Sequence, residues 1–162
     1  MEQQPSDPYP LHCLGVLLSY GQRYGEAEQY FLQALEQDES FAPAYDDLGR
    51  VYMRQSRFAE AIPLLEQALL YHHDMAELRV QLAICREQTG DLDGALQEYQ
   101  RAVNLPLADG ELHFRHAALL ERSGQLDEAA ESYRKYLDFD IPERLEFHSE
   151  AEAALQRLAD QR

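Results

Sequence analysis

The sequence predicts an all-α protein built as a solenoid of antiparallel helix pairs, four pairs followed by a single closing helix. Three observations predict it. Alanine recurs at Ala27, Ala61, Ala95 and Ala129, a constant step of 34 residues, and a fixed period of that size marks a stacked repeat. Apolar residues around each alanine recur at i, i+3, i+4 and i+7, the spacing of one helix face. A short polar turn, carrying Gly21, Gly90 or Gly124 in three of the units, splits each unit into two helices.

The elements follow in order. Residues 1–7 read as a disordered tail, and Pro10 suits an early position of a first helix, where a missing N–H costs nothing. The first unit, 8–41, places Leu11, Leu14, Gly15 and Leu18 on one helix and Ala27, Phe31, Ala34 and Leu35 on the next. The second, 42–75, repeats this with Tyr45, Leu48, Gly49 and Tyr52, then Phe58, Ala61, Leu65, Ala68 and Leu69. Pro63 falls early in that helix and is expected to bend it slightly without breaking it. The third, 76–109, carries Leu82 and Ala83, then Leu92, Ala95, Tyr99, Ala102 and Val103, with Asp91 as a candidate N-cap. The fourth, 110–143, carries Ala117 and Leu120, then Leu126, Ala129, Tyr133 and Leu137. Residues 144–162 form a last amphipathic helix, with Phe147, Ala151, Ala154, Leu155 and Leu158 in one stripe. Glu146, Glu150, Arg157 and Gln161 face away from it. A repeat array needs such a cap, because one helix pair cannot bury its own apolar faces. The same stripe also suits an oligomerisation helix.

Small residues at the eighth position of each unit (Gly15, Gly49, Ala83, Ala117) and at the alanines twelve residues later mark where the two helices cross. Enlarging Ala95 to Leu is expected to overpack that crossing by about 1–3 kcal/mol.

With 14 Lys plus Arg against 30 Asp plus Glu, the formal charge is −16. That excess repels phosphate backbones and anionic membranes, so neither nucleic acid nor a membrane is an expected partner. No apolar run is long enough to span a bilayer. The opening MEQQPSDPYP lacks the basic and apolar regions of a secretory signal, which points to the cytoplasm. Cys13 and Cys85 lie two units apart, too far for a disulfide, and are expected as free, mostly buried thiols.

Taken together, these residues resemble the tetratricopeptide repeat family. Its pattern, W-x₂-L-G-x₂-Y…A-x₃-F…P over 34 residues, is matched by Tyr45-x₂-Leu48-Gly49-x₂-Tyr52 with Ala61-x₃-Leu65, and by Leu14-Gly15 with Ala27-x₃-Phe31. The resemblance covers about residues 8–143. The chain departs from the pattern in several places. Leu11, Tyr45, Arg79 and His113 stand at the tryptophan position, Arg86 at the tyrosine, His116 at the leucine and Tyr136 at a usual alanine. The closing proline is displaced to Pro106 and Pro142.

The resemblance implies a right-handed superhelix whose first helices line a concave groove for an extended peptide or partner helix. Carried over by position, the groove would show Tyr9, His12, Val16, Ser19 and Tyr20, then Asp46, Arg50, Met53 and Arg54. The third unit would add Glu77, Val80, Ile84, Glu87 and Gln88, and the fourth Glu111, Phe114, Ala118, Glu121 and Arg122. Some members hold a terminal carboxylate with Lys or Arg and Asn at the fifth and ninth positions. Here those positions carry His12 and Val16, Asp46 and Arg50, Val80 and Ile84, so that clamp is absent.

The groove is expected to present Met53, Val80, Ile84 and Phe114 as an apolar strip of the kind that marks binding surfaces. Arg50, Arg54 and Arg122 are suited to bidentate carboxylate capture, unless each pairs with a neighbouring carboxylate. His72-His73-Asp74 and His113-x-x-His116 name no third ligand by spacing, so structural histidines and no metal are expected. Arg79 and Arg86, seven apart, are expected to be buried against acidic neighbours. No phosphate loop, nucleophile elbow or Cys/His constellation is present. No cofactor and no catalytic residue is therefore expected. The predicted function is a non-enzymatic scaffold binding a segment of another protein. Two alternatives are a chaperone for a hydrophobic secreted client and a module that self-assembles through its array ends.

Overall fold

The computed structural model describes residues 7–106, 110–139 and 145–160, with side chains from 147 onward in the last stretch. Residues 1–6 of the tail expected at 1–7, Pro142, the Glu146 side chain and Gln161 lie outside the described residues. Nine helices and no strand are present among them. They are α1 (Tyr9–Tyr20), α2 (Tyr24–Gln37), α3 (Ala42–Arg54), α4 (Phe58–Tyr71), α5 (Ala76–Thr89), α6 (Leu92–Val103), α7 (Gly110–Arg122), α8 (Leu126–Leu137) and α9 (Leu145–Asp160). Consecutive helices pack on one another from α1 to α9, as in a stack of pairs.

The periodic alanines explain the pairing. Ala27, Ala61, Ala95 and Ala129 are fully enclosed, and so are their neighbours one turn on, Phe31, Leu65, Tyr99 and Tyr133. The glycines opposite are small because the large residue lies against the backbone. A Cβ on Gly15 would stand 2.6 Å from the Phe31 ring, and one on Gly49 would meet Leu65 at 3.0 Å. Both are closer than carbon atoms pack.

The turn inside each pair repeats its geometry even where its residues differ. Gln22, Ser56, Gly90 and Gly124 all have positive φ, 58°, 58°, 90° and 78°. In each case the next N–H reaches back to a carbonyl five residues earlier: Arg23 to Leu18, Arg57 to Tyr52, Asp91 to Arg86 and Gln125 to Leu120. This six-to-one bond closes the first helix as a Schellman motif. Asp91 caps α6 as expected, accepting the Gly94 N–H at 3.0 Å. Helix α4 runs unbroken through Pro63.

Pairs are tied together by polar side chains at their edges. Tyr52 donates to Glu28 at 2.9 Å and Arg57 donates to the same carboxylate at 2.6 Å, joining the first two pairs. Arg57 also stacks over the Tyr52 ring. At the other end Glu121 accepts Tyr133 at 3.0 Å and Arg157 of α9 at 3.1 Å. Ala151, Ala154 and Leu158 of α9 are buried in the core shared with α7 and α8, so α9 covers the fourth pair. Arg79 and Arg86 are enclosed against acidic residues, as expected. Cys85 is buried, and burial pushes its thiol up to about 11. Cys13 is exposed, contrary to expectation, because it lies on the face of α1 that no described element covers.

Candidate functional site

Helix α1 touches α3, and α3 touches α5, across successive pairs. First helices closing up in this way lie on the inner side of the stack's curve. Their charges differ from the rest of the chain. Helices α3, α5 and α7 each carry two Arg against two Asp or Glu, and α1 carries none of either sign. Taken whole, these four helices are neutral, so the excess negative charge sits on the rest of the chain.

Two hollows run along this face. The larger, about 330 Å³, lies across α3, α5 and α7, with Arg50, Met53, Val80, Leu112 and Arg115 among its walls. The smaller, about 150 Å³, lies between α1 and α3, bounded by Val16, Tyr20, Asp47 and Arg54. Arg50 borders both. Nine of the predicted groove residues line them: Val16, Ser19, Tyr20 and Arg54 the smaller, Met53, Glu77, Val80 and Glu111 the larger, and Arg50 both.

Their charges are arranged in local pairs. Arg50 reaches Asp46 at 2.8 Å and Arg115 reaches Glu111 at 2.8 Å, each one helical turn apart. Arg122 pairs with Glu87 across α5 and α7. Arg54 makes no ion pair among the described residues. Asp46 also accepts the Gln81 amide. Burial raises the Asp46 carboxyl above the usual range, although Arg50 and Gln81 act against it.

Other predicted residues fall elsewhere. Phe114 corrects the expected apolar strip, being only 9% exposed. Its ring packs edge-on to Tyr133 and Tyr136 and against Phe147 of α9 at 5.0 Å, so it belongs to the core under the last helix. His12 is held by Asp47 at 2.8 Å and by the Phe31 and Phe41 rings. Tyr9 leans on Phe41, outside both hollows. Ile84 is half-buried in the third pair's core, and Ala118 is half-buried on α7.

His116 is buried with its Nδ1 3.0 Å from Ser132 Oγ. Among the described residues no three His, Cys, Asp or Glu side chains converge as metal ligands. No described helix is long and apolar enough to cross a membrane.

Leu112 and Arg115 escaped sequence reasoning, which took the second, fifth, ninth, twelfth and thirteenth positions of each unit. Both sit one step round the helix, at the third and sixth positions. The signal was present in the stripe Glu111–Arg115–Ala118–Arg122, spaced four, three and four, which is one helix face.

Comparisons with known proteins match the tetratricopeptide repeat at residues 47–111, and again at 12–41 and 110–140. The chain belongs to the tetratricopeptide repeat family. Among curated relatives, the human cell division cycle protein 16 homolog is 26% identical over 110 residues, 62% of this chain. The match is 18% of that protein's length, so the chain spans about a fifth of the relative. Among solved structures, the tetratricopeptide repeat protein YrrB, described as having an unusual peptide-binding site, is 27% identical with a TM-score of 0.75. That likeness covers 95% of this chain and 84% of YrrB. A crystal structure of MamA shares the fold with a TM-score of 0.80 at 16% identity, covering 97% of this chain and 88% of MamA. Tetratricopeptide repeats are in general non-catalytic protein-interaction modules, which makes this chain an interaction scaffold at that level.

Proposed function

We propose that the chain is a cytoplasmic, non-enzymatic scaffold that holds an extended segment or helix of another protein in the concave groove. The observation that carries this reading is the 330 Å³ hollow across α3, α5 and α7, with an apolar floor between two arginines. Similarity to YrrB, a protein with a peptide-binding site, supports it. Met53 and Val80 are half-buried, so an apolar ligand side chain laid on them completes a desolvation that folding has begun. Arg50 and Arg115 are oriented by Asp46 and Glu111 and retain further N–H donors for ligand carboxylates or carbonyls. The chain's net charge of −16 is carried outside the four first helices, which lowers the repulsion an acidic segment meets at the groove.

The test is a parallel affinity capture with wild type and an Arg50→Glu, Val80→Gln variant. Neither residue is fully enclosed, so the variant's melting curve should stay within a few degrees of wild type. A partner present with wild type and lost with the folded variant is the expected result. An identical set of partners with both proteins would overturn the groove assignment.

A further inference from the structure

Helix α1 differs from the other first helices in being apolar on two faces. Leu11, Gly15 and Leu18 face inward onto the second helix of their own pair. Pro10, Cys13, Leu14, Leu17 and Tyr20 form a second stripe spaced three, four, seven and ten residues from the first of them, all exposed. Leu14, Leu17 and Tyr20 are 44%, 69% and 85% exposed. A helix that is apolar all round normally lies inside a protein.

The other pairs show what these positions do. The equivalents of Pro10, Leu14 and Leu17 are Ala44, Leu48 and Val51 on α3, and Leu78, Leu82 and Cys85 on α5. All six are buried, where α2 packs on α3 and α4 on α5. The third, seventh and tenth positions are thus the seam between pairs. On α1 the same seam carries the same residue types and is covered by nothing among the described residues.

We propose that this face is a homodimer interface, α1 of one copy packing on α1 of a second across a two-fold axis. Three observations choose a second copy. The seam residues 10, 14 and 17 are spaced four and three, the seam spacing of two packed helices. It carries no charge, so two copies that repel through −16 each meet where neither presents an acidic group. The opposite end does not complement it, since Glu150, Glu152 and Gln156 of α9 are exposed. Head-to-tail stacking would lay apolar α1 on those carboxylates, whereas an isologous contact needs only the one face and closes at two copies.

One 12-residue helix on each side gives less than the roughly 800 Å² per partner of a standard interface, so the dimer is weak and concentration-dependent. Sedimentation equilibrium of the full chain tests it. From about 5 to about 500 μM the mass is expected to rise from one copy towards two, as for a micromolar-to-millimolar association. Raising the salt should favour the dimer by screening the net charge. A Leu14→Lys, Leu17→Lys variant should remain single at every concentration with an unchanged circular dichroism melt, because both side chains face solvent in the single copy. A Glu152→Lys variant on α9 should still pair. Wild type that stays single throughout, a mass that grows beyond two, or pairing that survives the α1 variant would each overturn the proposal. So would loss of pairing in the α9 variant alone.

Discussion

The second and third helix pairs solve one packing problem with opposite chemistry. Both cross at a small residue, Gly49 or Ala83, facing Ala61 or Ala95 and a large neighbour, Leu65 or Tyr99. At the fourth, eleventh and twenty-third positions the second pair has Tyr45, Tyr52 and Leu64, whereas the third has Arg79, Arg86 and Glu98. Glu98 is only 2% exposed. It accepts Arg79 at 2.8 Å and Arg101 at 2.6 Å, with Arg86 at 3.5 Å. The small crossing residues set the backbone. The surrounding positions tolerate aromatics or an ion network, provided they change as a group.

The largest expected effect breaks that group. Glu98→Ala leaves two largely enclosed guanidiniums without their shared carboxylate, and removing one partner of a buried pair costs about 3–5 kcal/mol. Replacing all three together, Arg79→Tyr, Arg86→Tyr and Glu98→Leu, imports the second pair's solution. It should leave stability unchanged or raise it by about 1–4 kcal/mol. Urea unfolding of the single and triple variants measures both. A triple variant as unstable as Glu98→Ala would show that the pairs are not interchangeable.

The fourth pair sharpens the contrast at the seventh position, where His116 stands in place of Leu48 or Leu82. Burial, with help from His113 and Lys135, lowers the His116 imidazole from 6.5 to about 4. Its Nε2 has no hydrogen-bond partner among the described residues. The unfolded chain takes up the proton near pH 6.5, while the folded chain resists until about pH 4. Stability is therefore fully present above pH 6.5 and is lost as pH falls towards 4, by up to about 3 kcal/mol. His116→Leu should remove most of this slope, as read from melting temperatures at several pH values.

The smallest effect separates the turns. Ser56 and Gly90 share positive φ, and only glycine adopts it freely. Ser56→Gly should stabilise by about 0.5–1 kcal/mol, because relief of the left-handed strain exceeds the added chain entropy. Gly90→Ala should destabilise by about 1 kcal/mol. Shifts of about 2–4 °C in melting temperature, of opposite sign, would check both.

These comparisons also show what the sequence can carry. The 34-residue period, the enclosed alanines and the turns were legible because each is local and repeated. Gln22 and Ser56 reveal their left-handed geometry only through their register with Gly90 and Gly124, not through residue type. Phe114 departs from the groove because Tyr133 and Tyr136 of α8 enclose it together with Phe147 on α9, a helix outside the repeat pattern. Cys13 was misread by its register. It stands at the sixth position of its unit, where Arg115 is also exposed, and not at a covered seam position. Arg115 escapes the groove positions carried over from the family because it stands one residue beyond the fifth position, where Phe114 turns into the core.

The most direct test of the central claim maps where a ligand settles. Short peptides selected from a random display library against the intact protein would be titrated into it while backbone amide shifts are followed by NMR. The groove reading predicts that the largest shifts fall at Arg50, Met53, Val80 and Arg115, on three different first helices. Shifts concentrated on α4, α6 and α8, with the inner face unmoved, would contradict it.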